Sequence, residues 1–162
     1  SAGIASRTRG SPGALARPGI AVYGGMFSEL LGLRQVVHLR ARLIDIRDVA
    51  LGETVSYGAT WTAARPSRIA TLSAGYADGY RRQLSNRGEV LIGGVRCPVV
   101  GRVTMDMIMV DLGELKIHSN TKVEIIGSNQ SLTQFAKDCH TIPYEILTSI
   151  SPRVHRSYSE EE

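Results

Sequence analysis

The chain has 162 residues, 43% of them hydrophobic, a formal net charge of +4 and a mean hydropathy near zero. That length supports one good hydrophobic core and is short for two, and no apolar run reaches the roughly 18 residues of a membrane span. The 19 basic residues are mostly arginine, scattered without runs or interleaved aromatics, which argues against nucleic acid and suits anionic small molecules that a planar guanidinium can grip.

Residues 1–18 are rich in Gly, Ala, Ser, Arg and Pro, carry no helical or strand period, and read as the torn edge of a longer unit. Residues 19–24 read as an apolar strand running into Gly24, a junction of the kind that delivers backbone N–H groups to a ligand. A short helix or turn over 26–33 is expected to link two units. From 36 to 49, Val37, Leu39, Ala41 and Leu43 alternate with His38, Arg40 and Arg42, the period of a strand with one buried face. Gly52 marks a turn, 68–73 a second strand, and 89–92 pairs with 95–100 as a hairpin across Gly93-Gly94. Short strands follow over 107–112 and 121–126, separated by a polar stretch at 116–120. Ser131 is expected to cap a helix over 132–139, with Leu132, Phe135 and Ala136 on one face, and Pro143 to end that element. Residues 146–150 are apolar without a clear period, and 157–162 form a polar, acidic tail expected to fray. The pattern is predominantly β.

Several residues could carry chemistry. In Val55-Ser56-Tyr57-Gly58-Ala59-Thr60, Tyr57 is either a half-buried strand tyrosine or a rigidly placed phenol that a ligand can approach over Gly58. A phenol with a pKa of about 10 is a poor base near neutrality unless its neighbours help, so the rest of such a site must be supplied from outside this sequence. Gly75-Tyr76-Ala77-Asp78-Gly79-Tyr80 reads as a tight turn in which Asp78 bonds its own backbone, as a pocket rim of phenols beside Arg81 and Arg82, or as both. In Gly101-Arg102-Val103-Thr104-Met105-Asp106, Met105 is core filler or offers its N–H to a carboxylate. Arg17 is a surface arginine or pairs with a buried acceptor, and Tyr144 is a partly buried aromatic.

Cys97 and Cys139 belong to no CxxC pair and read as free buried thiols in a reducing compartment, which favours the cytoplasm. His38, His118, His140 and His155 have no metal-ligand spacing, so no metal is expected. The three lysines, Lys116, Lys122 and Lys137, all lie in polar settings, and none reads as a desolvated Schiff-base lysine.

The order and spacing of Arg17-Pro18-Gly19-Ile20-Ala21-Val22-Tyr23-Gly24, the Tyr57 segment, 75–79, 101–106 and Tyr144-Glu145 resemble alanine racemase across nearly the whole chain. The resemblance implies a fold-type III pyridoxal 5'-phosphate enzyme. Residues 1–30 would be the end of its N-terminal β/α barrel with a linker, and 31–162 its C-terminal β domain, Greek-key or barrel-like. The segment bearing the cofactor lysine is absent. By the same resemblance Tyr57 is the catalytic base on the L-alanine face, the missing lysine serving the D face, so that removal from one side and return from the other inverts the centre.

Arg17 then corresponds to the arginine at the pyridine nitrogen. Gly19 and Ile20 correspond to backbone donors to the phosphate, Tyr144 to the tyrosine that bonds it, and Ser1 to the phosphate-binding serine. Met105 matches the N–H that meets the substrate carboxylate. Tyr76, Asp106, Arg82 and Ile142 line the approach and narrow it toward a small side chain. Departures from the family pattern lie in 26–35, which is compact and lacks a proline-rich linker, and in the short tail. The resemblance further implies a homodimer with shared sites, Tyr57, Tyr76 and Met105 serving the partner's, and a role in supplying D-alanine for peptidoglycan. The fragment alone is expected to be inactive. Two other readings stand beside it: a racemase of serine or of a broader amino-acid set, and a stand-alone, non-catalytic β domain used for association.

Overall fold

The alternating run over 39–49 makes two strands where one was expected over 36–49. β1 (Leu39–Ala41) and β2 (Leu43–Val49) are separated by Arg42 and join different sheets. Register shifts between Leu39 and Arg40 and between Leu43 and Asp45 mark the corner, as bulges do where a strand leaves one sheet for another. The computed structural model describes residues 17–25, 32–117 and 121–159. Ser1, His118 and most of the turn expected over 26–33 lie outside them.

Nine strands form three antiparallel sheets among the described residues. β1, β9 (Val123–Ile126), β6 (Glu89–Ile92) and β7 (Val95–Pro98) make the first, in that order. β2, β5 (Ser67–Leu72) and β8 (Ile108–Asp111) make the second, while β3 (Thr54–Val55) pairs with β4 (Trp61–Thr62). The β6–β7 hairpin closes as expected: Ile92 faces Val95, and Gly93 (φ 58°) and Gly94 (φ 84°) both take the left-handed conformation that a two-residue turn needs. The mainly β expectation holds, with open sheets. The β1–β2 corner and an isolated Val99–Val110 bridge join the two larger ones, which do not close into a barrel.

β5 is buried on both faces, and this explains its short apolar run. Ala70 and Leu72 enter the main core with Val90, Ile92, Ile108 and Ile125, whereas Ile69 faces the opposite way into a smaller core. Two helices cover the main core. α1 (Leu132–Asp138) begins where predicted, with Ser131 Oγ accepting the Gln134 N–H at 3.1 Å, and buries Leu132, Phe135 and Ala136.

Three expectations are corrected. Pro143 does not end the preceding element but starts α2 (Pro143–Ser149), since the first helical turn needs no N–H from that residue. The apolar run at Gly19–Tyr23 is a 3-10 helix, not a strand: Pro18 holds helical backbone angles at its start, and Gly24 (φ 69°) closes it by donating to the Ala21 carbonyl. Ile20 from this turn is buried in the main core. Tyr80, read as part of a rim, is fully buried with its ring 5.7 Å from that of Phe135.

Cys97 and Cys139 are free and buried in the main core. Burial pushes the Cys97 thiol up to about 11 and the Cys139 thiol up to about 12, from an ordinary 9.0. Both are therefore expected to resist a thiol-specific reagent at pH 8 and to react only as the chain unfolds. Because only the unfolded chain gives up these protons above pH 9, the thiol contribution to stability is complete below pH 9 and is lost between there and about 11–12. Following reagent uptake against denaturant checks the first expectation, and unfolding midpoints across that pH window check the second. No helix among the described residues is long and apolar enough to cross a membrane.

Candidate functional site

Tyr57 sits at the tip of the β3–β4 hairpin, in which Val55 faces Trp61. Val55 is buried in the smaller core with Val49, Ala63, Ile69 and Val100, and Trp61 packs against it, so the base of the hairpin is anchored. At the tip the Tyr57 side chain is 74% exposed, and its phenol makes no hydrogen bond among the described residues. The backbone around it is strained. Ser56 (φ 68°) and Ala59 (φ 47°) are both non-glycine residues at positive φ, a conformation that costs of order 1–3 kcal/mol each and persists only where surroundings impose it. Here the surroundings include the Ser56 hydroxyl, which donates to the Arg102 carbonyl at 2.8 Å.

The next loop touches the first through Gly101. At φ 75°, a Cβ there would lie 2.6 Å from the Ser56 Cβ and 2.7 Å from the Val55 carbonyl oxygen, so this glycine is what lets the two backbones meet. Beyond it, the Thr104 N–H donates to the Met107 carbonyl at 3.0 Å, and the Met107 N–H donates to Thr104 Oγ1 at 3.1 Å. That closed turn leaves Met105 and Asp106 exposed, which excludes Met105 as core filler. The Met105 N–H has no hydrogen-bond partner among the described residues.

A third loop packs on the second. The Tyr76 N–H donates to the Thr104 carbonyl and the Ala77 N–H to the Met105 carbonyl, both at 3.0 Å. Asp78 accepts the Gly75 N–H at 2.9 Å, the turn-closing bond expected for it. Tyr76 stands exposed at the rim, as does Arg82 in the following turn. Arg153 fastens this arrangement: its guanidinium meets Asp78 and Asp106 at 2.8 Å each and the Met105 carbonyl at 3.5 Å. These bonds, to Asp78 first and then Asp106, push its pKa up further. Arg153 carried no local signal, since its partner Asp78 is 75 residues away.

Arg81 ties the same region to α2 through an ion pair to Glu145 at 2.8 Å. A hydrogen bond from Thr141 and then the charge of Arg81 hold the Glu145 carboxyl below its ordinary range. Ile142 is exposed at the N-cap of α2, two residues before Tyr144.

Tyr144 belongs to a second group. Its Oη accepts the Ile20 N–H at 3.3 Å, and Gly19, Ile20 and Tyr144 line one cavity of about 660 Å³ that Val37, Leu147 and Tyr158 help to enclose. A backbone N–H and a phenol converging in this way suit an anionic oxygen. That oxygen would accept from both more strongly than the phenol accepts from Ile20 at the long end of hydrogen-bond range. Arg17 is exposed two residues before Gly19 and does not line the cavity. Lys116, Lys122 and Lys137 are exposed, and none lines it. No group of three or more His, Cys, Asp or Glu among the described residues is placed to hold a metal ion.

Residues 36–158 match the family model for the alanine racemase C-terminal domain. The chain is 48% identical over 148 residues to the alanine racemase of Stutzerimonas stutzeri, an alignment covering 88% of this chain and 41% of that protein. The crystal structure of biosynthetic alanine racemase from Pseudomonas aeruginosa superposes with a TM-score of 0.82 at 44% identity, covering 88% of this chain and 41% of that one. The alanine racemase of Bartonella henselae, solved with covalently bound pyridoxal phosphate, gives 0.80 at 40% identity, covering 87% of this chain and 40% of that one. The chain thus spans about two fifths of the length of the relatives it matches.

Proposed function

The chain belongs to the alanine racemase C-terminal domain family, and on that premise we propose that the full-length protein interconverts L- and D-alanine with pyridoxal 5'-phosphate. The cofactor, when bound, supplies an electron sink that makes the α-proton of an amino acid acidic. We place its Schiff-base lysine outside this chain, a reading supported by the exposure of all three lysines here and by their absence from the lining of the Tyr144 cavity. Tyr57 exchanges the α-proton on the L face at its phenolic oxygen. The observation that carries this assignment is an exposed phenol, free of hydrogen bonds among the described residues, on a turn that is strained on both sides yet anchored below.

Gly19 and Ile20 offer backbone N–H groups and Tyr144 its phenol to the cofactor phosphate, Ser1 adds its hydroxyl, and Arg17 faces the pyridine nitrogen. The Met105 N–H, without a hydrogen-bond partner among the described residues, receives the substrate carboxylate. Tyr76, Asp106, Arg82 and Ile142 line the approach, and Tyr76 keeps it narrow enough to favour a small side chain. Residues 1–30 complete a barrel and linker, and 31–162 form the C-terminal domain. In a homodimer, Tyr57, Tyr76 and Met105 reach the site of the other subunit. The enzyme works in the cytoplasm and supplies D-alanine for peptidoglycan.

The full-length protein, supplied with pyridoxal phosphate, is expected to bring either enantiomer of alanine to an equal mixture, and to do so faster than it racemises serine or lysine. Chiral chromatography of each reaction reads the result. Faster turnover of serine or lysine would move the assignment to a broader racemase. No turnover of any of the three by cofactor-loaded protein would favour a non-catalytic association domain.

A further inference from the structure

We propose that Asn86 is the positioning residue for Tyr57, holding its phenol where the α-proton on the L face is transferred. The inference rests on the racemase reading above. Tyr57 has no side-chain hydrogen bond among the described residues, so its place is set by the backbone of 56–60, and both ends of that turn depend on Asn86. At the far end, Asn86 Nδ2 donates to the Thr60 carbonyl at 3.2 Å and to Thr60 Oγ1 at 3.3 Å. At the near end, Ser56 is tied to the Arg102 carbonyl, and Asn86 grips the adjacent Gly101 in both directions: Oδ1 accepts the Gly101 N–H at 2.5 Å, and the Asn86 N–H donates to the Gly101 carbonyl at 3.2 Å. The neighbouring Ser85 Oγ accepts the Val103 N–H at 3.0 Å, so the same corner fixes the start of the loop that carries Met105.

The residue type follows from these demands. Asn86 sits at φ 57°, which asparagine tolerates better than most residues, and a carboxamide alone among small side chains supplies an acceptor and two N–H donors at once. Aspartate has the same shape and still accepts from Gly101, but it has no donors for Thr60 and sets a carboxylate against that carbonyl. Ser56 and Ala59, both at positive φ, can then relax and carry the phenol with them. Misplacement of a reacting group by about 1 Å can cost about 100-fold in rate, so a small relaxation suffices.

The test uses the full-length, cofactor-loaded enzyme with Asn86→Asp, and Asn86→Gly as a second variant that removes the carboxamide while keeping the φ preference. Both are expected to lower kcat by about 10-fold or more, with KM and the melting temperature close to wild type. Because the reaction has an equilibrium constant of one, kcat/KM must fall equally in the two directions, whereas the isotope effect need not change equally. The deuterium isotope effect is expected to rise with α-deuterated L-alanine, whose deuteron Tyr57 removes, and not to rise with α-deuterated D-alanine. Unchanged kcat in both variants, or lowered kcat with no such asymmetry, would overturn the role of Asn86 while leaving the racemase reading intact. A wild-type protein that does not racemise alanine would overturn both.

Discussion

Replacing Gly75 with alanine is expected to destabilise the fold by about 1–3 kcal/mol and to remove most of the racemase activity proposed for the full-length protein. The cause is steric alone. Gly75 has an extended backbone (φ −146°, ψ −169°) that any L-residue adopts. A Cβ added there would lie 2.2 Å from the Met105 carbonyl oxygen, 2.4 Å from its carbon and 2.5 Å from the Asp106 nitrogen. These are backbone atoms and cannot swing aside as the end of a flexible side chain would. Relief requires separating 75–80 from 104–107, which breaks the bonds from Tyr76 to Thr104 and from Ala77 to Met105 and strains the Arg153 clamp. Denaturant melts of the variant check the first loss and racemisation rates the second. A Gly75→Ala protein with wild-type stability and rate would mean that the two loops do not meet as described.

Tyr57→Phe is expected to do the reverse, leaving the fold alone and removing the chemistry. The phenol is exposed and makes no hydrogen bond among the described residues, so losing its oxygen should change stability by no more than about 0.5 kcal/mol. Loss of a positioned proton-transfer group, by contrast, costs about 10²–10⁴ in rate. The pair of variants separates architecture from chemistry: Gly75→Ala moves melts and rates together, and Tyr57→Phe moves the rate alone. A Tyr57→Phe enzyme within a few-fold of the wild-type rate would remove Tyr57 from the mechanism.

What could be read from the sequence was written locally. The Gly93-Gly94 turn and the Ser131 cap each depend on a few adjacent residues and produced the expected element, and the period of two around Leu39 marked strand, though as two strands instead of one. The corner at Arg42 was hidden because a chain that changes sheets keeps its alternation. Pro143 carried a signal that can mean stop or start, and only its place in the first turn of α2 decides between them. Tyr80 and Tyr76 sit in one glycine-bracketed turn, yet one is buried against Phe135 and the other stands at the rim, a difference set by packing from a distant helix.

The candidate site divides in the same way. Tyr57, Tyr76, Met105 and Tyr144 stood out through their glycine or proline neighbours and their spacing. The residues that arrange them did not. Arg153 reaches back to Asp78 and Asp106, and Asn86 joins Thr60 to Gly101, both between segments that only the fold brings together; Gly75 was legible as a turn glycine, but not as the residue that makes room for Met105.

Proton exchange in D₂O tests the assignment of Tyr57 most directly. The full-length Tyr57→Phe protein, loaded with pyridoxal phosphate, is expected to wash deuterium into the α position of D-alanine through the lysine proposed for that face, while the α-proton of L-alanine stays at the background rate. Exchange into L-alanine as fast as in the wild type would contradict Tyr57 as the L-face base.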